Sequence, residues 1–322
     1  MPYTPLASGI QLDGLQSLIA TMAAITLFIY GLNGFSKELR TVGGEALQRW
    51  LKRVTSNRWS SFACGALSTA VVQSSSAVSS LTTALVDASV ITFRASIGVI
   101  LGANVGSTAT AWLVSFKLTG IGPFCIVLGA LFSALPLRIK IAGKAVFYFG
   151  LILFALDLIS AELKPLSQQP LFVEWLAMAQ MPWLGIATGL LFTAVVQSSS
   201  VTTGVAILLA QQGVMPAEAA IPIVIGANVG STSTALLASL SMGQTARATA
   251  MANLIFNLVG VILFFPFIRL FSESMVQMTG NAGMAVAWAH LIFNLTTSML
   301  FLVSLNWTEP HLRKLLLRPK AG

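Results

Sequence analysis

Two blocks of this sequence occur twice at one fixed offset. TAVVQSSS runs from Thr69 to Ser76 and again from Thr193 to Ser200, and GANVGST from Gly102 to Thr108 and again from Gly226 to Thr232. Both pairs are separated by 124 residues, so all fifteen positions match without a gap. Such a match marks a duplicated unit, and whatever the first copy folds into, the second must fold into as well. The repeated letters are hydroxyls, amides and glycines, set without a single charge in the middle of apolar sequence.

The setting is a membrane. Of 322 residues 56% are hydrophobic and 9% charged, against roughly 25% charged in a soluble domain. Residues 15–35 carry no charge and are long enough to cross a ~30 Å hydrocarbon core. No Lys or Arg precedes Lys37, so this stretch lacks the basic region of a cleaved leader and is expected to be a retained span. Residues 36–58 are basic with an apolar face and suggest a helix lying on the membrane surface. The apolar stretch 59–86 is broken at QSSS, and each half is long enough to pass the midplane but too short to cross. A re-entrant hairpin with its tip at Gln73 to Ser76 is the expectation.

Spans follow at 95–116, interrupted by GANVGST, and at 119–137 and 145–161. The short apolar stretch 171–179 is expected at the interface. The pattern then returns as a hairpin at 183–210, an interrupted span at 217–240 and a span at 247–268, before a last span at 283–305 and a basic tail. The expected fold is therefore an all-α membrane protein with about seven full spans and two hairpins. Its units are a first repeat at 1–137, a second at 138–268, and an additional helix with a tail at 269–322.

Seven crossings put the ends on opposite sides. With the tail in the cytoplasm and the N-terminus outside, fifteen of the eighteen basic residues fall inside and Lys117, Lys164 and Arg269 outside, which satisfies the positive-inside rule. The net charge of +8 then needs no nucleic-acid partner. Three spans and a hairpin per unit make the second copy inverted relative to the first, the architecture of secondary transporters with broken helices meeting at the midplane.

A broken helix in lipid leaves backbone groups unsatisfied at several kcal/mol each unless it lines a polar site. Half-helices starting near Ser74 and Ser198 would aim free N–H groups at the centre, which favours an anion. Serine hydroxyls can donate to anionic oxygens or offer lone pairs to a hard cation, and glutamine can do both. In GANVGST the glycines permit an unwound backbone, while Asn104, Ser107, Thr108, Asn228, Ser231 and Thr232 provide oxygens of the kind an alkali cation takes. Neither block contains Lys or Arg, so an anion at this depth would need co-bound cations to supply charge. Sodium coupling follows as a hypothesis.

QSSS in each of two inverted units, each followed by GANVGST, resembles the type II sodium/phosphate cotransporter family, including its bacterial members, over roughly residues 58–268. The resemblance implies sodium-driven movement of inorganic phosphate in a bacterial inner membrane. It also implies a substrate site at Gln73, Ser74, Ser75, Ser76, Gln197, Ser198, Ser199 and Ser200, with Ser75, Ser76, Ser199 and Ser200 serving the ions too. Some relatives carry a soluble PhoU-like domain after the membrane part; the expectation here is a chain without one. Partners are phosphate, sodium and the lipid bilayer, with no cofactor besides the coupling ion and with oligomeric state, including a homo-oligomer, left open.

The same residues admit other readings. Serine and threonine in apolar helices also serve as packing and hydrogen-bonding groups, but two identical copies in inverted context go beyond that. ANLIFNL at 252–258 and AHLIFNL at 289–295 form a shorter echo, for which interhelical hydrogen bonds are the first explanation. Asp87 and Asp157 read as solvated interfacial acids. Cys64 and Cys125 read as small buried side chains, and CxxC, HExxH, P-loop and GxGxxG motifs are absent. A serine hydrolase would need a base, for which His290 is the only histidine in the membrane stretches, and a GxSG-type nucleophile turn, which is absent, so no enzyme is expected, and a channel lacks a continuous polar stripe. The rival is a sodium-coupled carrier of another anion, such as a dicarboxylate or sulfate.

Overall fold

The computed structural model describes residues 7–54, 57–116, 120–135, 138–166 and 181–317. The described residues are helical, connected by short turns, with no strand among them. In chain order the helices are α1 (Ala7–Val54), α2 (Arg58–Val72), α3 (Ser75–Asp87), α4 (Phe93–Gly106), α5 (Thr108–Ser115), α6 (Ile121–Ala134) and α7 (Arg138–Leu166). Then come α8 (Pro182–Val196), α9 (Ser199–Gln211), α10 (Ala217–Ser239), α11 (Gln244–Phe264), α12 (Ile268–Thr279), α13 (Ala282–Val303) and α14 (Leu305–Leu316). A 3₁₀ turn, Phe265–Phe267, joins α11 to α12 at Pro266.

Among the described residues, six stretches are long and apolar enough to cross a membrane: 16–39, 93–115, 140–162, 217–239, 244–279 and 282–303. Large apolar side chains such as Val195, Leu191, Phe124 and Ile262 are exposed, as lipid-facing residues should be. The fold is that of an all-α membrane protein. The stretch expected to span at 119–137 differs: α6 has 14 residues, ~21 Å of helix against a ~30 Å core. Gly120 starts it in a left-handed conformation, φ 78°, and Leu135 ends it extended at ψ 154°, the conformation that the following Pro136 imposes. The basic stretch after the first span also differs, since α1 continues unbroken to Val54 and leaves no separate surface helix there. The stretch 171–179, Lys117, Arg318 and Lys320 lie outside the described residues.

The interruption expected within GANVGST is one residue in the first copy, Ser107 between α4 and α5, and is absent from the second, where α10 runs straight through. The glycines serve close packing instead. A Cβ on Gly102 would overlap the Phe62 carbonyl and one on Gly106 that of Ala66, and a Cβ on Gly65 would overlap the Val99 carbonyl. The same overlaps recur 124 residues on, at Gly226 with Ile186, Gly230 with Leu190, and Gly189 with Ile223. Backbones this close are a common form of helix pairing in membranes, where small residues admit van der Waals contact that no hydrophobic effect supplies.

These matched contacts fix directions. Residues 62 and 66 face 102 and 106, so α2 and α4 run parallel, and α8 and α10 do likewise. Since α3 ends only a short turn before α4 begins, α3 must end on the side where α2 started, and the pair is re-entrant. By the same reasoning α8 and α9 form a second re-entrant pair. The Asp87 carboxylate at the end of α3 accepts the Gly243 N–H at 2.7 Å, just after α10 ends, so α10 ends on the side where α4 begins. The Gln211 amide at the end of α9 donates to the Ser115 carbonyl at 3.1 Å, which repeats the relation at the other face. The helices α4 and α10 therefore point in opposite directions. Asp87, exposed as an interfacial acid should be, thus also serves as a helix-start acceptor, and Asp157, accepting the Gly120 N–H at 3.1 Å, is another.

Outside this core, α1, α7 and α6 pack antiparallel in sequence, with Tyr148 against Gly34 and Phe147 against Gly129. The Lys144 to Glu38 ion pair at 3.6 Å also joins α1 to α7. One end of the molecule collects Arg58, bonded to the last carbonyls of α13, and Arg94, paired with Glu309 at 3.0 Å.

Candidate functional site

Each QSSS breaks its helix the same way. Val72 and Val196 end the first half, and Gln73 and Gln197 turn the chain in the left-handed region at φ 55° and 56°. Such a conformation costs a non-glycine residue about 1–3 kcal/mol and tends to be kept where function requires it. Ser74 and Ser198 then cap the second half through their hydroxyls, which accept the Ala77 and Val201 N–H groups. The next orphan donors of the helix start, the N–H groups of Ser75, Ser76, Ser199 and Ser200, have no partner among the described residues.

The two tips, 124 residues apart, meet. One cavity of about 60 Å³ is lined by Gln73, Ser74, Ser75, Ser76, Gln197, Ser198, Ser199 and Ser200, with Leu32, Asn33 and Ser36 of α1 closing it. That is several times the ~10–15 Å³ that one water needs, room for a small ion with its partners. Two half-helices direct positive dipole ends here, and among the described residues no charged side chain lines the cavity. Ser36 is buried, and its hydroxyl has no partner among the described residues.

Thr110 links the tips. Its hydroxyl donates to Gln73 Oε1 at 2.8 Å and lies 3.3 Å from Ser200 Oγ of the other copy. In the counterpart 124 residues on, Thr234, the hydroxyl is buried with no hydrogen-bond partner among the described residues, and Gln197 is exposed. Thr110, Asn33 and Ser36 are absent from the sequence-based site. The duplicated threonine two places beyond GANVGST was a visible signal for the first, whereas nothing in the linear pattern pointed α1 at the tips.

The oxygens of GANVGST stand elsewhere. Ser107, Thr108, Ser231 and Thr232 donate to carbonyls three residues back at 2.6–2.8 Å, which engages each hydroxyl hydrogen and leaves the oxygen lone pairs. Asn104 donates to Asn253 at 3.2 Å, and Asn228 accepts from His290 and Asn294 at 3.2 and 3.3 Å. None of these six lines the tip cavity. Among the described residues no cluster of His, Cys, Asp and Glu could hold a metal ion.

Comparison with known proteins fits this geometry. The Na+/Pi-cotransporter family model matches twice, at residues 27–161 and 162–298. Protein YqeW of Bacillus subtilis (strain 168) is 30% identical over 90% of this chain and 95% of its own length. The putative inorganic phosphate export protein YjbB of Escherichia coli (strain K12) is 29% identical over 82% of this chain but 49% of its own length, so the chain spans about half of that relative. The sodium-dependent phosphate transport protein 2B of Rattus norvegicus is 41% identical over 26% of this chain and 13% of its own length. No solved structure gives a significant match.

Proposed function

Because the chain belongs to the Na+/Pi-cotransporter family, we propose that it couples sodium to inorganic phosphate movement across the bacterial inner membrane by alternating access. The single observation that carries this is the meeting of two identical tips around one uncharged cavity. The opposed directions of α4 and α10 support reading the duplicated units as inverted repeats. The two hairpins, entered from opposite sides, then act as alternating gates around a shared site.

The free N–H groups and hydroxyls of Ser75, Ser76, Ser199 and Ser200 suit phosphate oxygens. With no basic residue in the lining, sodium ions bound beside phosphate supply the charge that holds it there. The oxygens for those ions come from the tip serines and from the neighbouring GANVGST helices. The end bearing Arg58, Arg94, Arg247 and Arg313 is cytoplasmic in this reading, and the end bearing Glu218 and Glu273 external.

The test is uptake into proteoliposomes. An inward sodium gradient should drive accumulation of labelled phosphate, and potassium in its place should not. Sulfate and succinate run in parallel separate phosphate from other anions. Uptake indifferent to the cation, or accumulation of succinate in preference to phosphate, overturns the reading.

A further inference from the structure

The echo of ANLIFNL in AHLIFNL places Asn253 and Asn257 on α11 and His290 and Asn294 on α13 at the same spacing. In the fold Asn253 of α11 meets Asn104 of the first GANVGST copy, and both His290 and Asn294 of α13 meet Asn228 of the second. The two networks are equivalent in position and opposite in polarity.

Main-chain carbonyls, which only accept, fix the polarity of both. Asn294 Nδ2 donates to the His290 carbonyl at 2.9 Å and Asn228 Nδ2 to the Val224 carbonyl at 3.1 Å. Asn228 Oδ1 must therefore be the atom that faces His290 Nε2 at 3.2 Å and Asn294 Nδ2 at 3.3 Å, and both its lone pairs are taken. In the other network Asn257 Nδ2 donates to the Asn253 carbonyl at 2.9 Å and to Asn253 Oδ1 at 3.1 Å. Asn253 thus presents an acceptor, Asn104 answers with Nδ2 at 3.2 Å, and Asn104 Oδ1 has no hydrogen-bond partner among the described residues. Asn104 is half-buried, while Asn228 is only 4% exposed.

We infer that, of the two equivalent asparagines, Asn104 is the one that offers its side-chain oxygen to sodium, and that Asn253 is the positioning residue that turns the amide that way. Asn228 is a locked structural group. The exchange of acceptor for donor, Asn253 in one network and His290 with Asn294 in the other, makes the duplicated site functionally asymmetric. The inference rests on the sodium-coupled reading above.

The experiment measures the sodium half-saturation of phosphate uptake and, at saturating sodium, the KM for phosphate. Asn253→His places a donor where the acceptor stood and turns the Asn104 amide over. The sodium half-saturation should rise about 10–100-fold, as for loss of a residue that orients a metal ligand, with the phosphate KM within about twofold of wild type. Asn253→Asp keeps the acceptor oxygen and should hold the sodium half-saturation at or below the wild-type value. His290→Asn should leave it unchanged.

An unshifted sodium half-saturation in folded Asn253→His protein, or an equal shift in His290→Asn, overturns the inference. Should the histidine not fold, Asn253→Ala against His290→Ala makes the same comparison, with a rise expected only in the first. Wild-type protein without sodium-driven uptake would instead sink the underlying reading.

Discussion

Thr110 donates its hydroxyl hydrogen to Gln73 Oε1 at 2.8 Å, and this bond holds the turn of one tip while the same hydroxyl touches the serine cluster of the other. At the equivalent place in the second copy, the Thr234 hydroxyl is buried with no hydrogen-bond partner among the described residues. The two halves of a duplicated site therefore stand in different states within one molecule.

Replacing Thr110 by valine keeps the shape and removes the hydroxyl. A single hydrogen bond is worth only ~0.5–1.5 kcal/mol of stability, so the protein should stay folded. Initial rates of phosphate uptake should fall about tenfold, ~1.4 kcal/mol of barrier. Thr110→Ser should restore most of the rate. Uptake at the wild-type rate in Thr110→Val would show that the link between the tips plays no part in transport.

Ser75→Ala and Ser199→Ala each remove one cavity-lining hydroxyl from the first turn of α3 or α9. Both variants should bring sodium-driven phosphate uptake to background while eluting from size exclusion as wild type. Undiminished uptake in the pair would remove the tips from the site.

Gly102→Ala and Gly226→Ala drive a methyl group into the Phe62 and Ile186 carbonyls. Backbone cannot yield as a flexible side chain can, and each variant should lose more than the ~1–3 kcal/mol typical of overpacking. Gly120→Ala is the control: no described residue lies within 4 Å of the added methyl group, and only its φ of 78° is unfavourable, at about 1 kcal/mol. Thermal unfolding in detergent should rank the two packed glycines well below Gly120→Ala.

Glu309 holds two guanidinium groups, Arg94 at 3.0 Å and Arg313 at 2.7 Å, with its own side chain only 11% exposed. Glu309→Ala leaves two like charges facing each other. Because both arginines are 40% or more exposed, water screens part of the effect, and a loss of about 1–2 kcal/mol is expected. The difference from wild type in thermal unfolding should shrink in high salt.

How much of this could be read along the chain depends on the range of the interaction. The breaks at Gln73 and Gln197 were legible because a serine cap after an apolar run ends one helix and starts another whatever surrounds it. The fate of Gly102 and Gly226 was not. Glycine permits both an unwound backbone and a close helix pair, and only the Phe62 and Ile186 carbonyls lying against them decide for the second. Ser107 and Ser231 read as ion ligands by composition, and only the fold shows that each hydroxyl gives its hydrogen to a carbonyl three residues back, Ser107 at the break and Ser231 within a continuous helix.

The sequence by itself determined the membrane class, the duplication and the place of both tips, because hydropathy, repetition and capping act within a few residues of the chain. Only the tertiary structure decided that the tips share one cavity, that Thr110 joins them, and that Asn104 and Asn228 face opposite kinds of partner. Those facts depend on distances between helices 90 to 150 residues apart in sequence, such as Thr110 with Ser200 and Asn104 with Asn253. Packing sets such distances, and no local preference encodes them.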